Sequence, residues 1–295
     1  MKRLAIVAND IIHKFIYSGY INGFDAELME QHGGWMADLH RGGDGLPINK
    51  NVRITSIVSA DAETAGKIAL VSKIETIAET INEQILENCD GALILERDGT
   101  IHLELAKPFL QRGKFVYLDK PAFTSTQDAN KAQTISETTG AVVIGGSALR
   151  YSDELACIKS ELWEEPPLSV MVTGPGPWLE YACHMVEVLT VLLGTNIVNV
   201  GGVGSSAEGV VTIKWASGLY GTVQFGPKMS GFTVYATYPT QVRRWTIDNG
   251  NNYYRNMATK ICSVIESDSH DAWNDISAVV NVLERGTAFF IPLIT

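Results

Sequence analysis

Strand-like and helix-like segments alternate along the first half of the chain, and this alternation constrains the fold more than any other feature. Short apolar runs predict buried strands, and the stretches between them have apolar residues at helical spacing. Alternating strands and helices favour a parallel sheet covered on both faces, which binds ligands at the carboxyl ends of its strands. The predicted strands are 4–8, 52–58, 91–95, 115–118 and 141–145, and the predicted helices are 62–70, 74–87, 101–111 and 126–139.

The second half has a different rhythm, because its predicted strands follow one another closely. Gly218 predicts the turn of a hairpin between two of these strands. The change of rhythm near residues 146–151 predicts a first domain over 1–146 and a second over 147–295. The predicted strands are 168–173, 197–203, 209–215, 220–225, 232–237 and 242–247, and the predicted helices are 178–193, 253–266 and 270–285.

Two segments near the amino end leave alternatives open. Residues 33–50 are Gly-rich and aperiodic, which predicts a long loop that is either functional or mobile. Residues 17–25 contain polar and aromatic side chains that either line a polar pocket or simply flank a turn at Asn22-Gly23. The pocket candidates are Tyr17, Tyr20, Asn22 and Asp25.

Charge and residue spacing exclude several classes of function. The formal net charge is −10, which argues against a nucleic-acid-binding protein, because such proteins need clustered Lys and Arg. No apolar run approaches the ~18 residues of a membrane span, and the apolar start is too short for a signal peptide. We therefore expect a cytoplasmic protein with no membrane partner. The spacing of the Cys and His residues matches no metal-binding motif, so we expect no metal.

The turn after the first predicted strand lacks the glycines of a dinucleotide-binding site. Such a site has GxGxxG, because glycines let the pyrophosphate approach a helix N-terminus. This chain has Ala8-Asn9-Asp10-Ile11-Ile12-His13, with no glycine before Gly19. The side chains would crowd the phosphate path, and Asp10 would repel it by like charge. The turn is either a displaced nucleotide site or a helix-capping turn.

Residues 90–122 read DGALILERDGTIHLELAKPFLQRGKFVYLDKPA. The order and spacing resemble those of the Gfo/Idh/MocA oxidoreductases, whose signature is D-x-V-x-I-x-T-P-x-x-x-H, then a helix, then G-K-H-V-x-x-E-K-P. The chain departs from this pattern at Glu96-Arg97-Asp98, where the family has Thr-Pro, and at Asp119, where it has Glu. The matching positions are Asp90, His102, Gly113, Lys114, Val116, Asp119, Lys120 and Pro121.

Lys120 is the candidate catalytic residue in this segment. A lysine at the carboxyl end of a strand points into the ligand crevice, where its ammonium group can hold a substrate oxygen and transfer a proton. The resemblance implies that Lys120 contacts both substrate and nicotinamide. Without the resemblance, the sequence favours a surface lysine after a strand as the explanation of Lys120.

The predicted helix over 178–193 carries the second candidate group. Glu180, His184 and Glu187 are spaced i, i+4 and i+7, so they share one face of a regular helix. The pattern resembles the family's G-G-x-x-x-D-x-G-x-H-x-x-D-x-x-x-x-L-x-G, with Glu in place of both Asp residues and Ala182 in place of a glycine. The resemblance implies that His184 is a general acid or base and that Glu180 orients it. The alternative is an exposed polar stripe.

Two further positions agree with the resemblance. Residues 145–151, GGSALRY, resemble the family's G-x-x-x-R-[FY] hinge, in which Arg150 either binds substrate oxygens or forms an interdomain salt bridge. Asp61 follows the second strand, where an acidic residue either meets a ribose hydroxyl or caps the next helix.

The resemblance implies an α/β protein with an N-terminal Rossmann-like, doubly wound parallel sheet and a C-terminal α+β domain on an open, mostly antiparallel sheet. It also implies NAD or NADP as cofactor, hydride transfer to or from a sugar, polyol or similar hydroxylated substrate, and a homo-oligomer formed through the C-terminal sheet. The missing glycines favour an alternative, a redox-inactive relative that acts as a ligand-binding sensor or regulator or performs non-redox acid–base chemistry.

The expected site residues fall into three groups. The expected cofactor contacts are Asn9, Asp10, Asp61, Arg97, His102, Asp119 and Lys120. The expected substrate contacts are Lys120, Arg150, His184 and Glu187. The expected catalytic residues are Lys120, His184 and Glu180.

Overall fold

The computed structural model describes residues 1–9, 12–40, 43–247, 252–267 and 272–290. The chain forms two compact units. Each unit combines separate stretches of chain, whereas the predicted boundary at 146/147 gives two continuous domains, and that boundary stays a prediction. The first unit comprises Met1–Asp119, Lys131–Gly145 and Gly250–Ala272, and the second comprises Lys120–Asn130, Gly146–Asn249 and Trp273–Thr295.

The strands in chain order are β1 (Lys2–Val7), β2 (Val52–Val58), β3 (Thr76–Ala78), β4 (Gly91–Ile94), β5 (Phe115–Leu118), β6 (Val143–Gly145), β7 (Ser169–Pro175), β8 (Ile197–Gly204), β9 (Gly209–Trp215), β10 (Tyr220–Gly226), β11 (Phe232–Thr237) and β12 (Val242–Ile247). The helices in chain order are α1 (Ile12–Asn22), α2 (Ala26–His32), α3 (Met36–His40), α4 (Ala62–Ser72), α5 (Glu83–Asn88), α6 (His102–Leu110), α7 (Thr126–Thr139), α8 (Asp153–Glu164), α9 (Cys183–Leu193), α10 (Asn252–Ser267) and α11 (Trp273–Thr287).

The first unit is built on a parallel sheet with the strand order β3-β2-β1-β4-β5-β6. The order reverses beside β1, so the crevice of a doubly wound sheet lies at the carboxyl ends of β1 and β4. β4 and β5 are buried along their whole length, which explains why they are continuous apolar runs. The predicted Rossmann-like sheet is confirmed.

The predicted helix over 74–87 is wrong. Thr76–Ala78 forms β3, which pairs with β2 at the edge of the sheet. α5 begins only after Asn82, whose side chain accepts a hydrogen bond from the Ile85 N–H at 3.0 Å. Four isoleucines at helical spacing favoured a helix. Residues 76–78 instead form hydrogen bonds with the edge of β2, and the spacing of apolar residues contains no information about such pairing.

Helices fill part of the amino-terminal region that the sequence pattern left as turns and loops. α1 includes Tyr17 and Tyr20 and ends at Asn22, after which Gly23 has a φ of 75°. α3 lies inside the predicted loop over 33–50 and buries His40. Much of α1 is buried, so it lacks the polar face by which an amphipathic helix is recognised in a sequence.

The second unit is built on a sheet with the strand order β12-β11-β7-β10-β9-β8. β7 and β10 run parallel, and the other neighbouring strands are antiparallel. The predicted open, mostly antiparallel sheet is confirmed. The predicted helix over 178–193 begins with a π-helical turn, Trp178–Ala182, before α9. A π turn changes the register of the residues before α9, so Glu180 and His184 do not have the i, i+4 relation of a regular α-helix.

Candidate functional site

The backbone conformation at Gly146 positions Ser147 next to the Glu187 carboxylate in the second unit. Its φ is 104°, and a Cβ there would lie 2.8 Å from Cδ and 2.9 Å from Oε2 of Glu187. Both the conformation and the space therefore require glycine. The next residue, Ser147, donates its main-chain N–H to Glu187 Oε1 at 3.2 Å. The buried carboxylate thus holds this turn of the chain in place.

Ser147 orients the imidazole of His184. Its Oγ lies 2.6 Å from His184 Nδ1 and also accepts the Leu149 N–H at 3.1 Å. The Phe232 ring packs against the same imidazole, with 5.4 Å between ring centroids. Sequence reasoning assigned the orienting role to Glu180, whose side chain is exposed. The role of Glu180 stays a prediction, while the contact on Nδ1 belongs to Ser147.

Lys120 lies in the same unit as His184. Its Nζ donates to the Glu180 carbonyl oxygen at 3.2 Å and lies 5.6 Å from the centre of the Tyr181 ring. Tyr181 also neighbours His184, with 6.1 Å between ring centroids. One aromatic ring, 41% exposed, therefore contacts both the ammonium group and the imidazole.

Arg150 and Glu187 form a buried ion pair. Arg150 Nη1 donates to Glu187 Oε2 at 2.6 Å, and Nη2 lies 2.6 Å from Asp275 Oδ2. Burial raises the pKa of Glu187, although the Arg150 guanidinium opposes this shift. All three residues belong to the second unit, so the salt bridge that the sequence allowed between domains lies within one unit. Substrate contacts of Arg150 and Glu187 stay predictions.

In the first unit, Asp61 and Asn9 follow the carboxyl ends of β2 and β1. Asp61 Oδ1 accepts the Thr64 N–H at 3.0 Å, so Asp61 caps α4. Its contact with a ribose stays a prediction. The Asn9 main-chain N–H donates to the Glu96 carboxylate, and Asn9 Oδ1 accepts the Ala60 N–H at 3.0 Å. Asp10 lies outside the described residues.

Asp119 lies inside a hydrogen-bonded network of the first unit. Its Oδ2 contacts His13 Nδ1, and its Oδ1 accepts the Tyr117 hydroxyl at 3.3 Å. His13 Nε2 lies 3.3 Å from the Tyr254 hydroxyl, and the Tyr117 and Tyr17 hydroxyls are 3.0 Å apart. Burial raises the pKa of Tyr254 well above its usual range. The network links α1, β5 and α10.

His102 holds the loop that follows β4. Its ring is fully buried, and Nε2 lies 2.9 Å from the Glu96 carbonyl oxygen. Arg97 is exposed in the same loop. A buried His102 can influence a ligand by fixing Glu96, and the predicted cofactor contacts of His102 and Arg97 stay predictions.

A cavity of about 400 Å³ lies elsewhere in the first unit, between α1, α3 and α10. Tyr20, Phe24 and His40 form an aromatic wall, and Arg255 also lines the cavity. Burial lowers the pKa of His40 to about 4, and the nearby main chain of Phe15 opposes this only in part. Tyr20 thus lines a cavity, which agrees with the pocket alternative for residues 17–25.

The other members of the expected polar pocket have separate roles. Tyr17 belongs to the network around Asp119, Asn22 binds the main chain of Ile54, and Asp25 caps α2. Within the described ranges, no group of three His, Cys, Asp or Glu side chains is placed to hold a metal ion. None of the described helices is long and apolar enough to cross a membrane.

Residues 30–147 match the model of a family described as an oxidoreductase family with an NAD-binding Rossmann fold, GFO_IDH_MocA. Over these residues, which are less than half of its length, the chain is similar to the Gfo/Idh/MocA family. A 109-residue segment, 37% of the chain, is 29% identical to 4-carboxy-2-hydroxymuconate-6-semialdehyde dehydrogenase of a Sphingobium species, of which it covers 35%. A 113-residue segment, 38% of the chain, is 21% identical to the NADP(+) scyllo-inositol 2-dehydrogenase of Bacillus subtilis, of which it covers 34%. The matched segments thus span about a third of these curated relatives.

The likeness in fold to solved structures extends over almost the whole chain. The structure of scyllo-inositol dehydrogenase from Lactobacillus casei, with bound NAD(H) and scyllo-inositol, aligns with a TM-score of 0.76. The alignment covers 98% of this chain and 97% of the other at 10% identity, which shows a shared fold.

The matched family is NAD(P)-binding, and in a doubly wound sheet the pyrophosphate of such a cofactor lies at the turn after β1. A phosphate group at this turn needs main-chain N–H donors and little side-chain volume. Here the Asn9 N–H is bound to the Glu96 carboxylate, and His13 occupies the sixth position of the turn. Asp10 stands at the position where a glycine lets the pyrophosphate approach the main chain, and it lies outside the described residues.

Sequence reasoning missed three members of these groups. Ser147 follows two glycines at the hinge, and Tyr181 lies three residues before His184, so their sequence positions gave a weak signal. His13 gave a stronger one, because it is the sixth residue of the turn in which GxGxxG ends with glycine. Its partner Asp119 is 106 residues away, so only the fold reveals the pair.

Proposed function

We propose that the protein acts on a small hydroxylated compound, such as a sugar or cyclic polyol, as an enzyme of alcohol–carbonyl chemistry. Lys120 holds the reacting oxygen, and His184 exchanges the proton of that oxygen through Nε2. The observation that carries this assignment is the arrangement of Ser147, Tyr181 and Lys120 around His184 in one unit. The family match supports the reaction class.

Each group has a defined task in this chemistry. The Lys120 ammonium is a charge-assisted donor that stabilises negative charge on a substrate oxygen. Ser147 fixes the imidazole of His184, so proton transfer needs no reorientation of the ring. The Arg150–Glu187 pair holds the Ser147 turn by a hydrogen bond to its main chain. In family members that bind NAD or NADP, the cofactor carries the hydride. In this chain NAD or NADP would accept or supply that hydride, which balances the electrons of the alcohol–carbonyl step.

Binding to a panel of inositols, hexoses and their keto forms tests the assignment, measured by isothermal titration calorimetry. Lys120→Met and His184→Asn each remove a hydrogen bond worth about 1.5–3 kcal/mol when charged, so each should weaken Kd by roughly tenfold or more. The control is Lys159→Met, which removes an exposed lysine of α8 in the same unit. Equal affinities for all four proteins, or no binding of any compound, would refute the assignment.

The contact between Asn9 and Glu96 favours a second candidate, a redox-inactive relative that binds the same class of ligand as a sensor or regulator. Turnover of the bound compound separates the two functions. Product formed from the alcohols with NAD or NADP, or from the keto forms with NADH or NADPH, measured by chromatography and lost in His184→Asn, supports the enzyme. Tight binding with no change in the compound supports the sensor.

A further inference from the structure

We propose that the ring of Tyr181 is a platform on which the C–H face of a cyclic substrate packs, so that Tyr181 selects ring compounds over open-chain alcohols. The inference rests on the proposed function, because it adds a specificity-determining residue to the site of Lys120 and His184. The roles assigned to those two residues do not distinguish a ring from an open chain, since both act on a single substrate oxygen.

The Tyr181 ring is accessible and lies beside both of the groups that handle the substrate oxygen. The side chain is 41% exposed. The Lys120 ammonium lies over the face of the ring, 5.6 Å from its centre, and the centre of the His184 ring is 6.1 Å from that of Tyr181. An exposed aromatic ring next to convergent polar groups is the kind of apolar surface that small-molecule sites use.

The distance between Lys120 Nζ and the centre of the Tyr181 ring, 5.6 Å, suits one substrate carbon and its oxygen. A carbon in van der Waals contact with the ring lies about 3.5–4 Å from it. An oxygen held by a charged nitrogen lies about 2.7–2.9 Å from that nitrogen. A substrate carbon can therefore pack on Tyr181 while the oxygen that it carries binds Lys120.

Two glycines of the segment 174–177, Gly-Pro-Gly-Pro, make room for two aromatic rings around the imidazole of His184. A Cβ at Gly176 would lie 2.5 Å from Cγ and 2.8 Å from Cβ of Tyr181, so the Tyr181 side chain rests directly on the main chain. A Cβ at Gly174 would lie 2.7 Å from Cδ1 of Phe232, whose ring packs against the imidazole. Phe232 is only 7% exposed, so of these two rings Tyr181 is the one that a substrate can reach.

The π turn holds the main chain of Tyr181 in place. Trp178 anchors the turn, because its indole N–H donates to Leu283 O at 3.0 Å and its main-chain N–H donates to Ser206 O at 2.8 Å. The Tyr181 N–H donates to Pro177 O at 3.0 Å. A ring that is fixed before binding loses little conformational entropy when a substrate packs on it, so more of the buried apolar area contributes to affinity.

The chemistry of a cyclic polyol explains the expected selectivity. Its equatorial hydroxyl groups project from the rim of the ring, which leaves C–H groups on the faces. The hydrogens of such a face carry a small positive charge and match the negative face of the Tyr181 ring. An open-chain polyol has no rigid face of this kind, so it would press hydroxyl groups against the ring or lose more conformational freedom on binding.

Tyr220 is the matched control for Tyr181 in the same unit. Its ring is 50% exposed, and Lys214 Nζ lies 5.5 Å from its centre, across the pair of strands β9 and β10. The contact of an exposed tyrosine with a lysine therefore occurs twice among the described residues and does not by itself indicate a site. The neighbouring imidazole of His184 is what distinguishes Tyr181.

Calorimetric titration with myo-inositol, methyl β-D-glucopyranoside and D-glucitol tests the platform. Because myo-inositol and D-glucitol have the same numbers of carbons and hydroxyl groups, they differ mainly in ring closure. We expect Tyr181→Ala to weaken binding of the two ring compounds about tenfold and that of D-glucitol less than about threefold, because only a ring buries an apolar face. Tyr181→Phe keeps the platform, so it should retain the wild-type affinities within about threefold, as should Tyr220→Ala.

The variants separate the platform from the proposed function. An equal loss for ring and open-chain compounds in Tyr181→Ala would overturn the proposal, because Tyr181 would then act only by positioning Lys120. Unchanged ring affinity in Tyr181→Ala, together with losses in Lys120→Met and His184→Asn, would overturn the platform and leave the proposed function standing. No binding of any compound would refute both.

Saturation-transfer NMR on the wild-type protein decides the case if Tyr181→Ala does not fold or if D-glucitol binds too weakly to measure. The ligand is the tighter-binding of the two ring compounds, and the irradiated signals are the aromatic protons of the protein. The C–H protons on one face of the ligand ring should receive more saturation than those on the opposite face. Equal transfer to the two faces would overturn the proposal.

Discussion

Replacing Gly146 with alanine should destabilise the second unit far more than an ordinary glycine substitution. The new Cβ would overlap the Glu187 carboxylate, which cannot move freely because Arg150 and the Ser147 N–H hold it. The unfavourable φ of 104° alone costs about 1–3 kcal/mol. Breaking a buried ion pair costs a further 3–5 kcal/mol or so. We expect a total loss of about 4 kcal/mol or more.

Gly218→Ala is the matched control for this prediction. Gly218 has a φ of 91°, in the same unit, but a Cβ there meets nothing within 4 Å. It should lose only the conformational part, about 1–3 kcal/mol. Urea-induced unfolding followed by tryptophan fluorescence measures both. Equal losses of unfolding free energy in the two variants would show that the Glu187 carboxylate moves away from the new methyl group. The argument that Glu187 fixes the position of Ser147 would then be refuted.

Three further predictions concern pH, orientation and self-association. The pKa of His40 is about 4 in the folded protein and ~6.5 in an unfolded chain, so stability present above pH ~6.5 should fall by about 3 kcal/mol as the pH drops to 4. Urea unfolding at each pH should show this loss in the wild type and in His32→Gln but not in His40→Phe, and a persistent loss in His40→Phe would refute it. Ser147→Ala should shift the pH midpoint of polyol binding, because the imidazole of His184 loses the partner of Nδ1; an unchanged calorimetric pH profile would remove Ser147 from the site. If the second sheet forms a homo-oligomer, Val203→Lys, at a position 71% exposed on β8, should produce monomers in light scattering, and an unchanged mass would exclude that surface.

The sequence predicted most strands because their burial makes them locally recognisable. The predicted bounds are those of the structure for four elements, β9, β11, β12 and α7. In each of them the residue pattern and the flanking turn residues indicate the same start and end. The region from residue 12 to 40 was harder, because α1 is buried on most of its surface and lacks a polar face. The helix over 74–87 failed because pairing with β2 is a tertiary effect that no local pattern contains.

The candidate site shows the same division. His184 and Lys120 were identified from motifs, because each motif lies within one continuous stretch of the sequence and keeps its residue spacing there. Ser147 could not be assigned as the partner of His184, because the two residues are 37 positions apart in the sequence and only the tertiary fold brings them together. The π turn before α9 was equally hidden, and it changes the register on which the role of Glu180 was based.

A double-mutant cycle on ligand binding tests most directly whether Lys120 and His184 form one site. Calorimetry with the tightest-binding polyol would compare the wild type, Lys120→Met, His184→Asn and the double variant. Residues that hold the same substrate oxygen should show a coupling energy of at least about 0.5 kcal/mol, so the double variant loses less than the two single losses combined. Strictly additive losses, or no loss in either single variant, would contradict the account.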